Sequence, residues 1–408
     1  MSHNLAADVE VERMKSGSFV EPAGIVSDDV LLVQQAEPGS PLLIAFSSVN
    51  SNGFSFYQQA IGLKVHKVFV RDPADAWYQK GISPGIDDVA GLAAKLREIV
   101  AHLKPSRVVT VGASMGGYAS LVFGNLIGAD IVIASSPQTI IDSRLPHTPT
   151  HDFSGSETFD LKLWLEKRPT PPHWLFFGCA DFVDIYNVSR VAWTNARLFP
   201  IADQDHLLMV ELARSGDLLR ALEAALWDRP FEPSVAIDKR GRDPIVLGLV
   251  ERFVESFYRD GTHDPERMAM ALRQIEPRWA APFYVLSTLK AREKLWESAE
   301  KLAGKAASLA RNSVTFANFH AQMLYNNQRY PDAKTALERC LKLRPKHYAA
   351  LVTLAEVHAK LGEIEKSLER LDAAIAIRPR LQRARLLRDT IAKRAALPLE
   401  IELVTDDM

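Results

Sequence analysis

The segment of this chain best suited to covalent chemistry is Gly112-Ala113-Ser114-Met115-Gly116-Gly117. An apolar run at 107–111 (RVVTV) leads into it and a helix-like run at 117–126 comes after it, so the serine falls on a tight strand-to-helix turn. Such a turn forces Ser114 into a strained backbone conformation. The flanking glycines remove side chains that would collide with the neighbouring helix and strand. The hydroxyl then projects beyond the carboxyl end of the strand, where the helix N-terminus also points. A serine hydroxyl is a poor nucleophile by itself. It needs a base to take its proton and an acid to orient the base, and with them it can attack a carbonyl and carry an acyl group.

The surrounding pattern supplies a frame for such a turn. Short, continuous apolar runs rich in β-branched or aromatic residues occur at 42–46 (LLIAF), 67–70 (KVFV), 107–111, 131–134 (IVIA), 174–177 (WLFF) and 197–199 (RLF). They read as strands buried on both faces. Helical candidates lie between them, notably 87–103, with a stripe of Val89, Leu92, Leu96 and Val100, and 117–126. Alternation of this kind predicts an α/β fold, a mostly parallel sheet with flanking helices. Residues 24–35 ahead of it are expected to add an antiparallel entry strand or hairpin.

With Phe46-Ser47-Ser48, Arg71-Asp72-Pro73…Trp77-Tyr78 and the Ser114 turn, followed by late Asp and His residues, the stretch 40–226 resembles the α/β-hydrolase fold. Within it the likeness is to hydrolase-like proteins of bacterial surface-polysaccharide loci. The resemblance implies the chain order Ser, acid, His. It puts the acid at Asp181 in Phe177-Gly178-Cys179-Ala180-Asp181, with Asp184 as the alternative. It puts the base at His206, after Phe199-Pro200-Ile201-Ala202-Asp203-Gln204-Asp205. It also implies an oxyanion hole from the backbone N–H of Met115 and that of Ser47 or Ser48. His173 precedes a strand and sits at the wrong end for chemistry. Arg71, Trp77 and Tyr78 form either a polar-substrate site with an aromatic platform for a sugar or a loop braced by a buried Arg71–Asp72 pair, with Trp77 in the core. Residues 54–57 (FSFY), Trp77 and Trp164 are further pocket or core candidates. The expected substrate is a small-molecule or glycan ester, such as an O-acyl group on a glycan precursor. No metal and no organic cofactor is called for.

Residues 228–244 carry three prolines among polar side chains and read as a linker between a hydrolase-like domain, 1–227, and a second, helical domain. Beyond the linker the strand signals stop and a period of 34 residues appears. Pro277, Pro345 and Pro379 recur with Arg311 in the missing slot, as do Ala299, Ala333 and Ser367, and Ala306, Cys340 and Ala374. Small side chains let paired helices approach closely, and the proline ends the second helix. The pattern resembles the tetratricopeptide repeat. It is well matched at 314–347 and 348–381, moderately at 280–313 and poorly at 246–279, with a capping helix at 383–396 and a tail at 397–408. The expected all-α domain, 245–396, would dock a protein or peptide partner.

Composition narrows the remaining classes. The 408 residues carry a net charge of −1, which conceals 22 Lys/Arg against 29 Asp/Glu up to residue 244 and 27 against 21 beyond it. The basic excess of the second part is interspersed with acids and has no nucleic-acid motif behind it, so nucleic-acid binding is not expected. The two cysteines, Cys179 and Cys340, supply neither a disulfide framework nor zinc-ligand spacing, as suits a reducing compartment. No secretory pattern and no membrane-spanning run is visible, so a cytoplasmic location is expected. No G-x-G-x-x-G follows a strand, which argues against a dinucleotide enzyme. Two further readings use the same residues: an acyltransferase working through Ser114, or a catalytically idle scaffold in polysaccharide synthesis or export.

Overall fold

A computed structural model describes residues 28–51, 53–148, 153–259, 261–379 and 381–396. The chain divides into two units, Met1–Asp243 and Pro244–Met408. The first contains β1 (Leu31–Gln34), β2 (Leu42–Phe46), α1 (Tyr57–Ala60), β3 (His66–Val70), α2 (Val89–Leu103), β4 (Val108–Ala113) and α3 (Met115–Ile127). It continues through β5 (Ile131–Ser135), α4 (Leu161–Leu165), β6 (His173–Gly178), α5 (Phe182–Ser189), β7 (Ala196–Ile201), α6 (Leu208–Ser215) and α7 (Asp217–Leu226). Among the described residues these strands form one seven-stranded sheet in the order β1-β3-β2-β4-β5-β6-β7. Only β1 runs antiparallel, pairing Leu31 with Val70 and Gln34 with Lys67. It is the entry strand expected from residues 24–35, of which 24–27 lie outside the described residues.

The sequence runs read as strands are β2 to β7, each within two residues of the expected bounds. Their residues in β2, β3, β5 and β6 are buried throughout, as in a sheet covered on both faces. Helix α2 starts where Asp88 accepts the Gly91 N–H, and it buries Leu92, Ala93, Leu96, Ile99 and Leu103. The buried stripe is thus rotated slightly from the expected one, leaving Val89 and Val100 at its margin.

The stretch expected to be a linker belongs to this unit as far as Asp243. Phe231 is buried and its ring stacks on Trp174 at 5.6 Å, beside the Phe176–Phe199 stack at 4.4 Å. The N–H groups of Ser234 and Val235 donate to the buried Asp217 carboxylate, and Ala202 N–H donates to Ala236 C=O at 2.9 Å. Regular structure is limited here to a 3₁₀ turn at Lys239–Arg242, while Phe231, Val235 and Ile237 pack on the core.

The second unit contains nine helices among the described residues. They are α8 (Pro244–Tyr258), α9 (Pro265–Ile275), α10 (Ala280–Arg292), α11 (Trp296–Leu309), α12 (Val314–Asn326), α13 (Tyr330–Leu343), α14 (Tyr348–Lys360), α15 (Ile364–Ile377) and α16 (Gln382–Ala396). The pairs α10–α11, α12–α13 and α14–α15 repeat on the 34-residue grid seen in the sequence. Ala299, Ala333, Ser367, Ala306, Cys340 and Ala374 are fully buried where the paired helices meet. The close approach is explicit: Ser287 Oγ donates to Ala299 C=O at 2.6 Å, and Ser367 Oγ donates to Ala355 C=O at 2.7 Å. Turns inside the pairs share a left-handed residue at one grid position, Lys294, Gln328 and Gly362, of which only the glycine signals it by type. Successive pairs are tied by Glu300–Arg329 and Lys334–Glu363, the same two grid positions with charges reversed. The poorly matched 246–279 also folds as a helix pair. There Phe253 and Leu272 fill the space that small residues leave in the other repeats. Residues 397–408 lie outside the described residues. No helix among the described residues is long and apolar enough to cross a membrane.

Candidate active site

Ser114 sits between β4 and α3 with φ 55° and ψ −122°, a strained conformation for a non-glycine residue. The turn closes because Gly112 and Gly116 lack side chains. A Cβ on Gly112 would lie 1.8 Å from Gly116 O, and one on Gly116 would lie 2.3 Å from Phe46 O. Both contacts are with backbone, which has nowhere to yield.

His206 comes after β7, three places along the sheet from β4, and reaches Ser114 from the loop before α6. Its Nε2 is 2.9 Å from Ser114 Oγ, and its Nδ1 is 2.7 Å from Asp184 Oδ1. A carboxylate only accepts, so the Nδ1 proton points at Asp184 and Nε2 is left to accept from the serine. The other Asp184 oxygen accepts from Ser136 Oγ at 2.7 Å, and Asp184 is buried. Burial opposes protonation of His206, but the charge and hydrogen bond of Asp184, then the charges of Asp181 and Asp205, outweigh it. Together they raise the imidazole to about 8.

Asp184, and not Asp181, is therefore the carboxylate on the histidine. Asp181 caps α5 by accepting the Val183 N–H at 2.8 Å. Its other oxygen is 3.4 Å from His147 Nε2. Burial pushes the Asp181 carboxyl up, yet the hydrogen bond and charge of His147 hold it below the usual carboxylate range. One turn of helix separates the two aspartates, and the cap geometry turns Asp181 away while carrying Asp184 inward.

One of the N–H groups expected as oxyanion donors is already bonded. Ser47 N–H is committed to Val70 C=O at 2.9 Å, so it is not a free donor. Ser48 N–H has only a 3.3 Å contact with Ser55 Oγ, while its own hydroxyl ties to Ala113 C=O at 2.7 Å. Met115 is the first residue of α3, where an N–H has no partner within the helix. Of the three N–H groups expected as oxyanion donors, those of Met115 and Ser48 are thus the two without a strong backbone bond.

Tyr78 does not line a substrate site. It is fully buried, and its hydroxyl is 3.0 Å from Ser47 O and 3.1 Å from Val70 O. Ser47 C=O and Ser48 N–H share one planar peptide, so this bond orients the Ser48 donor. Trp77 is buried as well, and both aromatics have left-handed backbones. Asp72 offsets that strain by accepting the N–H groups of Ala74, Ala76 and Tyr78 at 2.7–2.9 Å. Arg71 pairs with the carbonyl and carboxylate of Asp29, both at 2.8 Å, and not with Asp72. The three residues brace a loop and form no sugar platform. His173 is buried between Thr194 and Asn125, and burial lowers it to about 4. Trp164 lines a cavity of about 680 Å³ with Gln79, Lys80, Arg97 and Arg168, and no member of the Ser114 site lines it. Among the described residues no cluster of His, Cys, Asp or Glu is arranged to hold a metal ion.

Two site residues carried no signal in the sequence. Gln138, just past β5 and buried, brings its Nε2 to 3.2 Å from Ser114 Oγ and 3.5 Å from His206 Nε2. His147 lays its ring flat on His206, with centroids 3.9 Å apart and planes within 5°. Neither falls in a motif, and only the fold brings them in.

Comparison with known proteins concerns the repeats. Residues 292–374 match the family model described as anaphase-promoting complex, cyclosome, subunit 3. Together with the helix pairs of the second unit, this makes its helical part a tetratricopeptide-type repeat region. Similar solved structures include MamA from residue 41 onward of Desulfovibrio magneticus RS-1, 16% identical over 38% of this chain and 86% of that one, TM-score 0.35. The Arabidopsis OM64 TPR domain is 13% identical over 28% and 94%, TM-score 0.27. The first TPR domain of human RPAP3 is 12% identical over 29% and 94%, TM-score 0.28. No curated protein matches the chain in sequence.

Proposed function

We propose that the first unit is a serine hydrolase of the α/β-hydrolase fold acting on carboxylic esters, and that the repeat region docks a protein or peptide partner. The observation that carries the enzymatic reading is the single imidazole of His206 bridging Ser114 Oγ and Asp184. The three residues come after β4, β6 and β7, in the chain order expected of that fold. In this reading Ser114 Oγ attacks the ester carbonyl carbon while His206 takes its proton. Met115 and Ser48 N–H groups receive the charge on the carbonyl oxygen. The C–O bond of the leaving alcohol then breaks, and His206 returns the proton to that oxygen. Water, activated by the same histidine, attacks the acyl-enzyme and releases the acid. Transfer to an acceptor alcohol is the alternative fate of the same intermediate. Arg71, Trp77 and Tyr78 are engaged elsewhere, so the glycan reading of the substrate keeps no residue support, and ester cleavage is the reading retained. A formed set of Ser, His and Asp favours an active enzyme over an idle scaffold.

The test is steady-state hydrolysis of short-chain p-nitrophenyl esters across pH. The base works only when neutral, so kcat/KM rises with pH and is half-maximal near pH 8, where His206 loses its proton. The same shift has a stability sign. A folded-state value above the ordinary 6.5 adds stability that is fully present below about pH 6.5 and lost as pH rises through about 8. A pH-independent rate, or none, contradicts the reading.

A further inference from the structure

Gln138 is a buried carboxamide with no strong bond of its own. Its contacts are Nε2 to Ser114 Oγ at 3.2 Å, Oε1 to Ser114 Oγ at 3.5 Å, Nε2 to Ser136 O at 3.4 Å and Nε2 to His206 Nε2 at 3.5 Å. Each lies at or beyond the long end of the normal range, so the amide gains more from a ligand than it has without one. Its placement indicates which ligand atom. Ser48 lies past β2 and Gln138 past β5, and these strands flank β4 on opposite sides. In the hydrolase reading the Ser48 N–H receives the oxyanion from the β2 side of Ser114. Gln138 therefore stands on the other side, beside His206 Nε2, where the leaving oxygen departs and the second nucleophile arrives.

Building on the hydrolase reading, we propose that Gln138 is a catalytic residue of the second half-reaction, holding the hydroxyl that attacks the acyl-enzyme. An oxygen within hydrogen-bonding reach of His206 Nε2 and near the acyl carbon also lies within reach of the Gln138 carboxamide. The amide has both an acceptor and a donor to offer a water or an alcohol. In the step, His206 Nε2 takes the hydroxyl proton and the oxygen forms its bond to the acyl carbon. The bond from that carbon to Ser114 Oγ then breaks, and Oγ recovers the proton. With Gln138 holding the attacking oxygen, the choice between water and alcohol is made at this amide.

Stopped-flow kinetics with p-nitrophenyl acetate separates the two halves. p-Nitrophenolate leaves without a proton, so departure of this leaving group does not call on Gln138. Gln138→Leu also loses the 3.2 Å contact with Ser114 Oγ, and its acylation rate constant and fluorophosphonate labelling fall by less than its deacylation rate constant. Its deacylation rate constant falls about 10–100-fold, within the range of proton-transfer positioning, and a burst of one p-nitrophenolate per site precedes a slow steady state. Its ratio of methyl acetate to acetate formed in added methanol also departs from that of the native protein. If Gln138→Leu does not fold, Gln138→Met, which keeps the unbranched chain, is read in the same way. Equal loss in both rate constants, or no loss in either, overturns the proposal while leaving the hydrolase reading intact. Failure of the native protein to form any acyl-enzyme overturns both.

Discussion

Replacing Asp184 with asparagine lowers kcat for p-nitrophenyl acetate about 10⁴-fold, whereas Asp181→Asn costs less than about tenfold. The difference comes from which ring atom each carboxylate serves. Asp184 Oδ1 accepts from His206 Nδ1 at 2.7 Å, which fixes the tautomer that leaves Nε2 free to take the serine proton. An asparagine there offers an N–H to the same nitrogen and favours the opposite tautomer, in which Nε2 carries the proton and cannot act as base. Asp181 touches His147 and the start of α5, and it reaches His206 only through its charge. Its removal lowers the His206 value, so the activity profile of Asp181→Asn shifts to lower pH with a small loss at the plateau. Equal large losses in both variants would mean that the two aspartates share the role of orienting acid.

The second large effect falls on Gly116. Gly116→Ala puts a methyl group 2.3 Å from Phe46 O and 3.1 Å from Ser47 O, so α3 and the end of β2 must part. Overpacking of this kind costs about 1–3 kcal/mol of stability. The larger consequence is catalytic, because the displaced segment leads directly into Ser48. Loss of one oxyanion donor lowers kcat by about 10²–10³-fold. Thermal unfolding and kcat measured on one preparation check both parts. Native kcat in a folded Gly116→Ala would mean that Ser48 N–H does not receive the oxyanion.

The strands were legible because a strand buried on both faces needs a continuous apolar run, and little else in the chain makes one that short. Ser114 was legible because its turn needs glycines at fixed spacing. His206 was legible from its place after the last strand. The acid was not. Asp181 and Asp184 lie three residues apart at one helix start, and the carboxylate that caps the helix is turned away from the chemistry by that very cap. Tyr78 and Trp77 misled because aromatic residues beside an arginine suggest recognition, and only burial shows that they brace a loop. The supposed linker misled because its prolines outweighed Phe231, Val235 and Ile237, three apolar residues spaced without a helical or strand period. Gln138 and His147 carried no spacing at all. In the repeats the small residues announced the helix pairs from 280 onward, while the first pair packs through Phe253 and Leu272 and so escaped the pattern.

The most direct test of the central claim is whether Ser114 is an activated nucleophile. The native protein is incubated with a fluorophosphonate near pH 8, and its intact mass and labelled peptide are read by mass spectrometry. One adduct per chain is expected, on Ser114, absent from Ser114→Ala and strongly slowed in Asp184→Asn. A folded native protein that takes no label, or takes it on another serine, contradicts it.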